Sequence, residues 1–268
     1  MELYNPFTFL SYSFGVNALL SALLTGFLCS TIGTFVVLKK MPFIGAGLAH
    51  IAFAGVALGI LTGKSPLLFA LLFTVTSSVI LWYLSEKRQI HYDVTVGVLF
   101  SASMGLAVVF LSLSQNFGSE ALSYLFGSPL LTTKTDLILL LTLCLITSAL
   151  FIYYWREIYL ILFSEEIAKA SGYRVHFITF WLFFLTAFTV TLSIESVGAL
   201  LVFSLLIVPP ATAHRIAKTY NQFFVMTVTL GVLSAVLGML VSFTINAPPG
   251  ATITLISTAL FGLTTLFK

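Results

Sequence analysis

Long uncharged apolar runs alternate along this chain with short polar stretches, and each run is about as long as a helix must be to cross lipid. Such a helix needs roughly 20 mostly apolar residues. Runs of this kind lie near 14–38, 43–63, 66–85, 93–115, 135–155, 177–194, 196–213, 222–245 and 249–267. The pattern predicts an all-α fold, a polytopic transmembrane helical bundle of about nine spans. The sixth and seventh runs are continuous except around 193–198, Ser-Ile-Glu-Ser-Val-Gly. A turn there gives nine spans; one long helix followed by a re-entrant piece gives eight. The polar stretches are too short for a soluble domain, so a single transmembrane domain over 1–268 is expected. A short interfacial helix is expected at 120–127, and a short capped helix near 164–172.

Composition sharpens the picture. Of the 268 residues, 59% are hydrophobic and 8% charged, with a mean hydropathy of +1.09. Soluble domains average about 45–50% apolar and about 25% charged, so this chain cannot coat a water-facing surface. A net charge of +3 without a cationic cluster argues against a nucleic-acid partner. Cys29 and Cys144 lie in apolar runs and offer neither a disulfide framework nor a metal knuckle. The opening Met-Glu-Leu-Tyr-Asn-Pro-Phe lacks a basic region and a clean cleavage site, so no signal peptide is expected.

Cationic residues then orient the bundle, because short cytoplasmic loops collect Lys and Arg. With the N-terminus outside and the C-terminus inside, Lys39, Lys40, Lys87, Arg88, Arg156, Lys169, Arg174, Arg215, Lys218 and Lys268 fall inside. Only Lys64 and Lys134 fall outside. Trp82-Tyr83 and Tyr153-Tyr154-Trp155 end spans on the inner side, where aromatic rings settle at membrane interfaces.

Candidate chemistry is sparse. Gly59-Ile-Leu-Thr-Gly63-Lys64-Ser65 resembles a phosphate loop but has three residues between its glycines rather than four, and it ends an apolar helix. No catalytic residue and no permanently bound cofactor is expected, so any ATP must be bound by another chain. Gly55, Gly59 and Gly63 recur every four residues and place one smooth face on the second span. Either tight packing or a mobile, path-lining helix accounts for it. His50 sits about seven residues into that span, roughly 10 Å deep at 1.5 Å per residue. An ionisable group at that depth is costly and points to a pathway or a metal ligand, the alternative being a neutral histidine bonded to a neighbouring helix. Glu195, at the expected turn between spans six and seven, is either a solvated turn carboxylate or an entrance that attracts cations.

On the inner side, Ser164 can cap a helix whose first turn holds Glu165 and Glu166, with Lys169 toward its end and Gly172 as the left-handed stop. A helix this short needs a surface to rest on, lipid or a cytoplasmic partner. Pro209-Pro210 near the inner end of span seven is either a hinge or the end of the span.

These residues, in this order, resemble the membrane permease subunits of bacterial ABC importers for zinc, manganese or iron(II), the ABC-3 family. The resemblance runs from about 15 to about 265. It rests on Gly45-x-x-Leu-x-His50, Gly55-Val-Ala-Leu-Gly59, Asp93-x-x-x-Gly97, Tyr124-Leu-Phe-Gly127 and Ala168 to Gly172. Val197-Gly198-Ala-Leu-Leu, Leu-Leu-Ile-Val-Pro209-x-Ala-Thr-Ala213 and Pro249-x-Ala251 complete it.

It implies a multi-pass protein of the bacterial plasma (inner) membrane that works with a second permease copy around a central path. Two cytoplasmic ATP-binding subunits would grip the helix carrying Glu165, Ala168 and Gly172, and an extracytoplasmic metal-binding protein would deliver the ion. The substrate would be a divalent metal, zinc first, with ATP used through the partner subunits. Family members commonly carry an aspartate four residues before the histidine; here that position is Ala46, so only His50 is carried over as a pathway residue. An ATP-independent secondary transporter or channel, and a permease for siderophore or vitamin cargo, are the alternatives.

Overall fold

The computed structural model describes residues 12–114 and 132–266, and all regular structure among them is helical. The helices are α1 Ser13–Leu38, α2 Ile44–Thr62, α3 Pro66–Arg88, α4 Tyr92–Leu113, α5 Lys134–Tyr153 and α6 Trp155–Phe163. They continue with α7 Glu165–Ala170, α8 Val175–Val197, α9 Ala199–Ile216, α10 Tyr220–Ile245 and α11 Pro249–Leu266. Among the described residues nine of these, all but α6 and α7, are long and apolar enough to span a membrane. The expected interfacial helix at 120–127, with its Tyr124 to Gly127 motif, and the inner cation Lys268 lie outside the described residues.

Local chemistry sets the boundaries. Gly63 closes α2 with φ 65°, and Lys64 N–H returns to Gly59 O at 3.0 Å. Pro66 opens α3 where its missing N–H costs nothing. The expected phosphate-loop look-alike is therefore the cap between two antiparallel helices. Between α8 and α9 the chain turns at Gly198, with φ 89° and ψ 159°, a conformation that side chains resist. With that turn, nine candidate spans stand among the described residues.

Two compact units make up the described chain. One holds residues 12–34, 132–144 and 192–266, the other 35–114 and 145–191; the boundaries fall inside α1, α5 and α8. In the first unit, bare backbones bring helices close. A Cβ on Gly231 would stand 2.5 Å from Ser30 Cβ, and one on Gly238 would stand 2.4 Å from Ile253 Cα. Small residues serve this purpose where lipid removes the hydrophobic drive for helix pairing.

In the second unit the rings of Phe35 and Phe183 meet edge to face at 5.5 Å. Trp82 packs edge to face on Phe180 at 5.3 Å, while Tyr83 and Tyr153 are exposed. Many hydroxyls within spans bond their own helix, as in Ser30 Oγ to Gly26 O at 2.6 Å and Thr186 Oγ1 to Leu182 O at 2.7 Å. Others cross: Thr74 and Thr191 meet across α3 and α8 at 2.7 Å, and Thr252 Oγ1 donates to Gly238 O of α10 at 3.0 Å. Exposed Leu68, Leu72, Val98 and Leu145 form the kind of apolar surface that lipid covers.

Candidate functional site

α2 carries the candidate pathway residue. Its glycines face two neighbours. A Cβ on Gly55 would stand 2.4 Å from Phe69 O, one on Gly59 2.6 Å from Pro66 Cα, and one on Gly47 2.4 Å from Val96 Cγ1. Gly55 and Gly59 thus seat α3, and Gly47 seats α4; tight packing accounts for all three. A Cβ on Gly63 would meet nothing within 4 Å, so the glycine is present for its backbone angle.

One turn beyond Gly47, half-buried His50 meets the Phe100 ring of α4 at 4.9 Å, nearly edge to face. Its Nδ1 lies 2.8 Å from Ala46 O. A carbonyl only accepts, so in the neutral ring Nδ1 carries the proton and Nε2 keeps the lone pair that a metal needs. Among the described residues no three His, Cys, Asp or Glu side chains gather as a metal site.

Glu195 departs from the expected turn. It occupies the last turn of α8, half-buried, because the chain does not break until Gly198. Pro209 and Pro210 likewise do not end a span. α9 continues through both to Ile216, and both are buried. Pro210 has no N–H for Leu206 O, and that freed carbonyl faces Gly33 of α1, where a Cβ would stand 2.2 Å from the oxygen. Neighbouring backbone fills the gap that proline opens.

The charged end of the second unit collects the links α1–α2, α3–α4 and α5–α8. α6, which the sequence reading absorbed into a loop, buries Ile158 and Ile161 at its middle. α7 forms as expected. Ser164 Oγ accepts from Ile167 N at 3.3 Å, and Gly172 takes φ 82° with Tyr173 N–H returning to Ala168 O at 3.2 Å.

Of the three residues singled out there, only Gly172 is exposed. Ala168 is fully buried, and Glu165 accepts an ion-pairing hydrogen bond from Lys39 Nζ at the end of α1. The exposed face instead presents Glu166, Ile167 and Ala170, next to Phe163. Ile167 is 48% exposed, a large apolar side chain on a six-residue helix at the polar end of the unit.

A second polar group lies at the same end. Glu86 of α3, 4% exposed, accepts from Tyr92 Oη at 2.9 Å and lies 3.3 Å from Nδ1 of His176. Sequence reasoning missed Lys39 and Glu86 because nothing local distinguishes them from other loop charges.

Known proteins resemble this chain in sequence and fold. ZnuB of Haemophilus influenzae, a high-affinity zinc uptake system membrane protein, is 34% identical over 254 residues, 93% of this chain and 97% of that one. MntC of Halalkalibacterium halodurans, a manganese transport system membrane protein, is 30% identical over 259 residues, 97% of this chain and 89% of that one. The solved structure of PsaBC from Streptococcus pneumoniae in complex with Fab superposes with a TM-score of 0.83 at 25% identity, across 96% of this chain and 94% of that one. With a match running through residues 11–268, the chain belongs to the ABC 3 transport family.

Proposed function

We propose that this chain is the membrane permease of an ATP-driven importer for a divalent transition metal, zinc before manganese or iron(II). The observation that carries this reading is the family match over nearly the whole chain, with zinc and manganese permeases among its relatives. The chain is a transport subunit in one permease domain of the inner membrane, its N-terminus outside and the α1–α2, α3–α4 and α5–α8 links in the cytoplasm. A second copy completes the path, two ATP-binding subunits supply the work, and an extracytoplasmic binding protein delivers the ion.

His50 supplies one imidazole nitrogen per copy. Zinc usually takes three or four protein ligands, so two histidines hold it weakly, which suits an ion that must leave again. Ala46 provides no carboxylate beside His50, and imidazole without a hard oxygen ligand favours zinc over manganese. Glu195 lies at the outer end and draws cations toward the path. Pro209 and Pro210 let α9 flex where α1 supports it. α7 is the handle gripped by the ATPase, and Ile167, turned outward, makes the contact that Ala168, turned inward, does not.

The test uses the permease purified with its cognate ATPase. Ile167→Asp should abolish co-purification, and wild-type complex in vesicles should take up zinc in preference to manganese when both compete. Retained ATPase binding would remove α7 as the handle. Manganese preference would overturn the metal assignment, and accumulation without any ATPase would overturn the importer.

A further inference from the structure

The end of α1 is held without slack. Lys40 takes φ 57°, Lys40 N–H reaches Val37 O at 3.0 Å, Met41 N–H reaches Val36 O at 3.0 Å, and Met41 is fully buried. This is the two-bond helix stop usually built on glycine, here carried by a lysine in a conformation that costs it some freedom. The preceding residue, Lys39, is only 8% exposed along its side chain. A buried ammonium is costly unless an anion and good geometry compensate. Its partner is Glu165, the first residue of α7.

α7 is too short to hold itself. Beyond its Ser164 cap and Gly172 stop, two residues anchor it to its surroundings: Ala168, fully buried, and the Glu165 carboxylate. Glu165 is 31% exposed and also lies 3.7 Å from Lys169 Nζ within α7 itself. Lys169 is half exposed and turns with its own helix, so it cannot tie α7 to anything else. Lys39 can. It joins the first turn of a capped surface helix to the last turn of a capped membrane span.

We propose that Lys39 is a positioning residue for energy coupling: its buried ion pair with Glu165 is the strut through which displacement of α7 pulls on the cytoplasmic end of α1. This rests on the reading of α7 as the ATPase handle and adds the element that receives the motion. A handle with Ile167 intact but no strut would still be gripped, and ATP would be hydrolysed without moving α1.

The complex of permease, ATPase and binding protein in vesicles tests this with zinc as the ion. ATPase retention, hydrolysis rate and zinc moved per ATP are read separately. Lys39→Met should keep the ATPase bound and hydrolysis within about twofold, while zinc moved per ATP falls at least tenfold. Lys39→Arg should keep the ratio. Lys39→Glu alone should lose it, and Lys39→Glu combined with Glu165→Lys should recover it to within about threefold. An unchanged ratio in Lys39→Met overturns the strut. So does loss of ATPase binding in that variant, or failure of the exchanged pair to assemble and recover. ATPase retained by Ile167→Asp overturns the handle instead, whatever Lys39→Met does.

Discussion

Replacing Gly33 by alanine puts one methyl group where a backbone oxygen already stands. The added Cβ would lie 2.2 Å from Leu206 O and 3.1 Å from both Leu206 C and Pro210 Cγ. Non-bonded heavy atoms settle at roughly 3.5 Å or beyond, so α1 and α9 must part by more than about 1 Å. A flexible side chain would turn aside, but a helix carbonyl moves only with its helix. Overpacking of this kind costs about 1–3 kcal/mol, and a backbone obstacle belongs at the upper end.

Against this stands the gain of about 0.5–1 kcal/mol that alanine brings in a helix interior. The balance is a loss of about 2 kcal/mol. At roughly 2–4 °C per kcal/mol, the subunit should unfold about 4–8 °C lower. Cys29 and Cys144 are free and buried, so a thiol-reactive dye in detergent reports the transition directly. Gly105→Ala is the control: its Cβ meets nothing within 4 Å, and it should raise the transition by roughly 1–4 °C. Unfolding of Gly33→Ala at or above the wild-type temperature would refute the close crossing of α1 and α9.

Two further outcomes are expected, alongside the Ile167→Asp and Lys39→Met results. His50→Ala should lower zinc uptake roughly tenfold while the ATPase stays bound, and wild-type uptake in that variant would reduce His50 to a packing residue. Ser164→Ala removes the cap that accepts from Ile167 N, worth about 1 kcal/mol, so amide exchange within 165–170 should quicken roughly fivefold. Unchanged exchange there would mean that Ala168 and Glu165 alone hold α7.

What the sequence made legible follows from how local each signal is. Hydropathy locates all nine spans within a few residues, because lipid forces every backbone group to be satisfied inside its own helix. α7 is legible for the same reason: Ser164, the two glutamates and Gly172 are start and stop signals within one stretch of chain. Gly198 and Glu195 mark the limit. A break was visible, but only backbone angles decide whether the glutamate or the glycine carries it, and Gly198 does. α6 was hidden because its aromatic flank reads as the tail of α5.

The faces of α7 were illegible in a different way. Nothing in Glu-Glu-Ile-Ala-Lys-Ala says which side looks inward, so the sequence leaves open that Ala168 is the fully buried one. The Lys39–Glu165 pair joins residues 126 positions apart, beyond any pattern that one sequence can display.

The hydroxyls of the spans carry a consequence of their own. Ser30, Thr186, Thr212 and Thr254 each return their proton to a carbonyl one turn earlier on the same helix. Such a bond travels with the rod that makes it. Neighbouring rods can therefore slip lengthwise without rupturing these four bonds. The resistance they meet comes from bare glycine backbone and from the hydroxyls that do cross, Thr74 to Thr191 between α3 and α8 and Thr252 to Gly238 O between α11 and α10. Lubrication is written into the hydroxyls that serve their own helix, and the brakes are the glycine crossings and the few threonines that reach across.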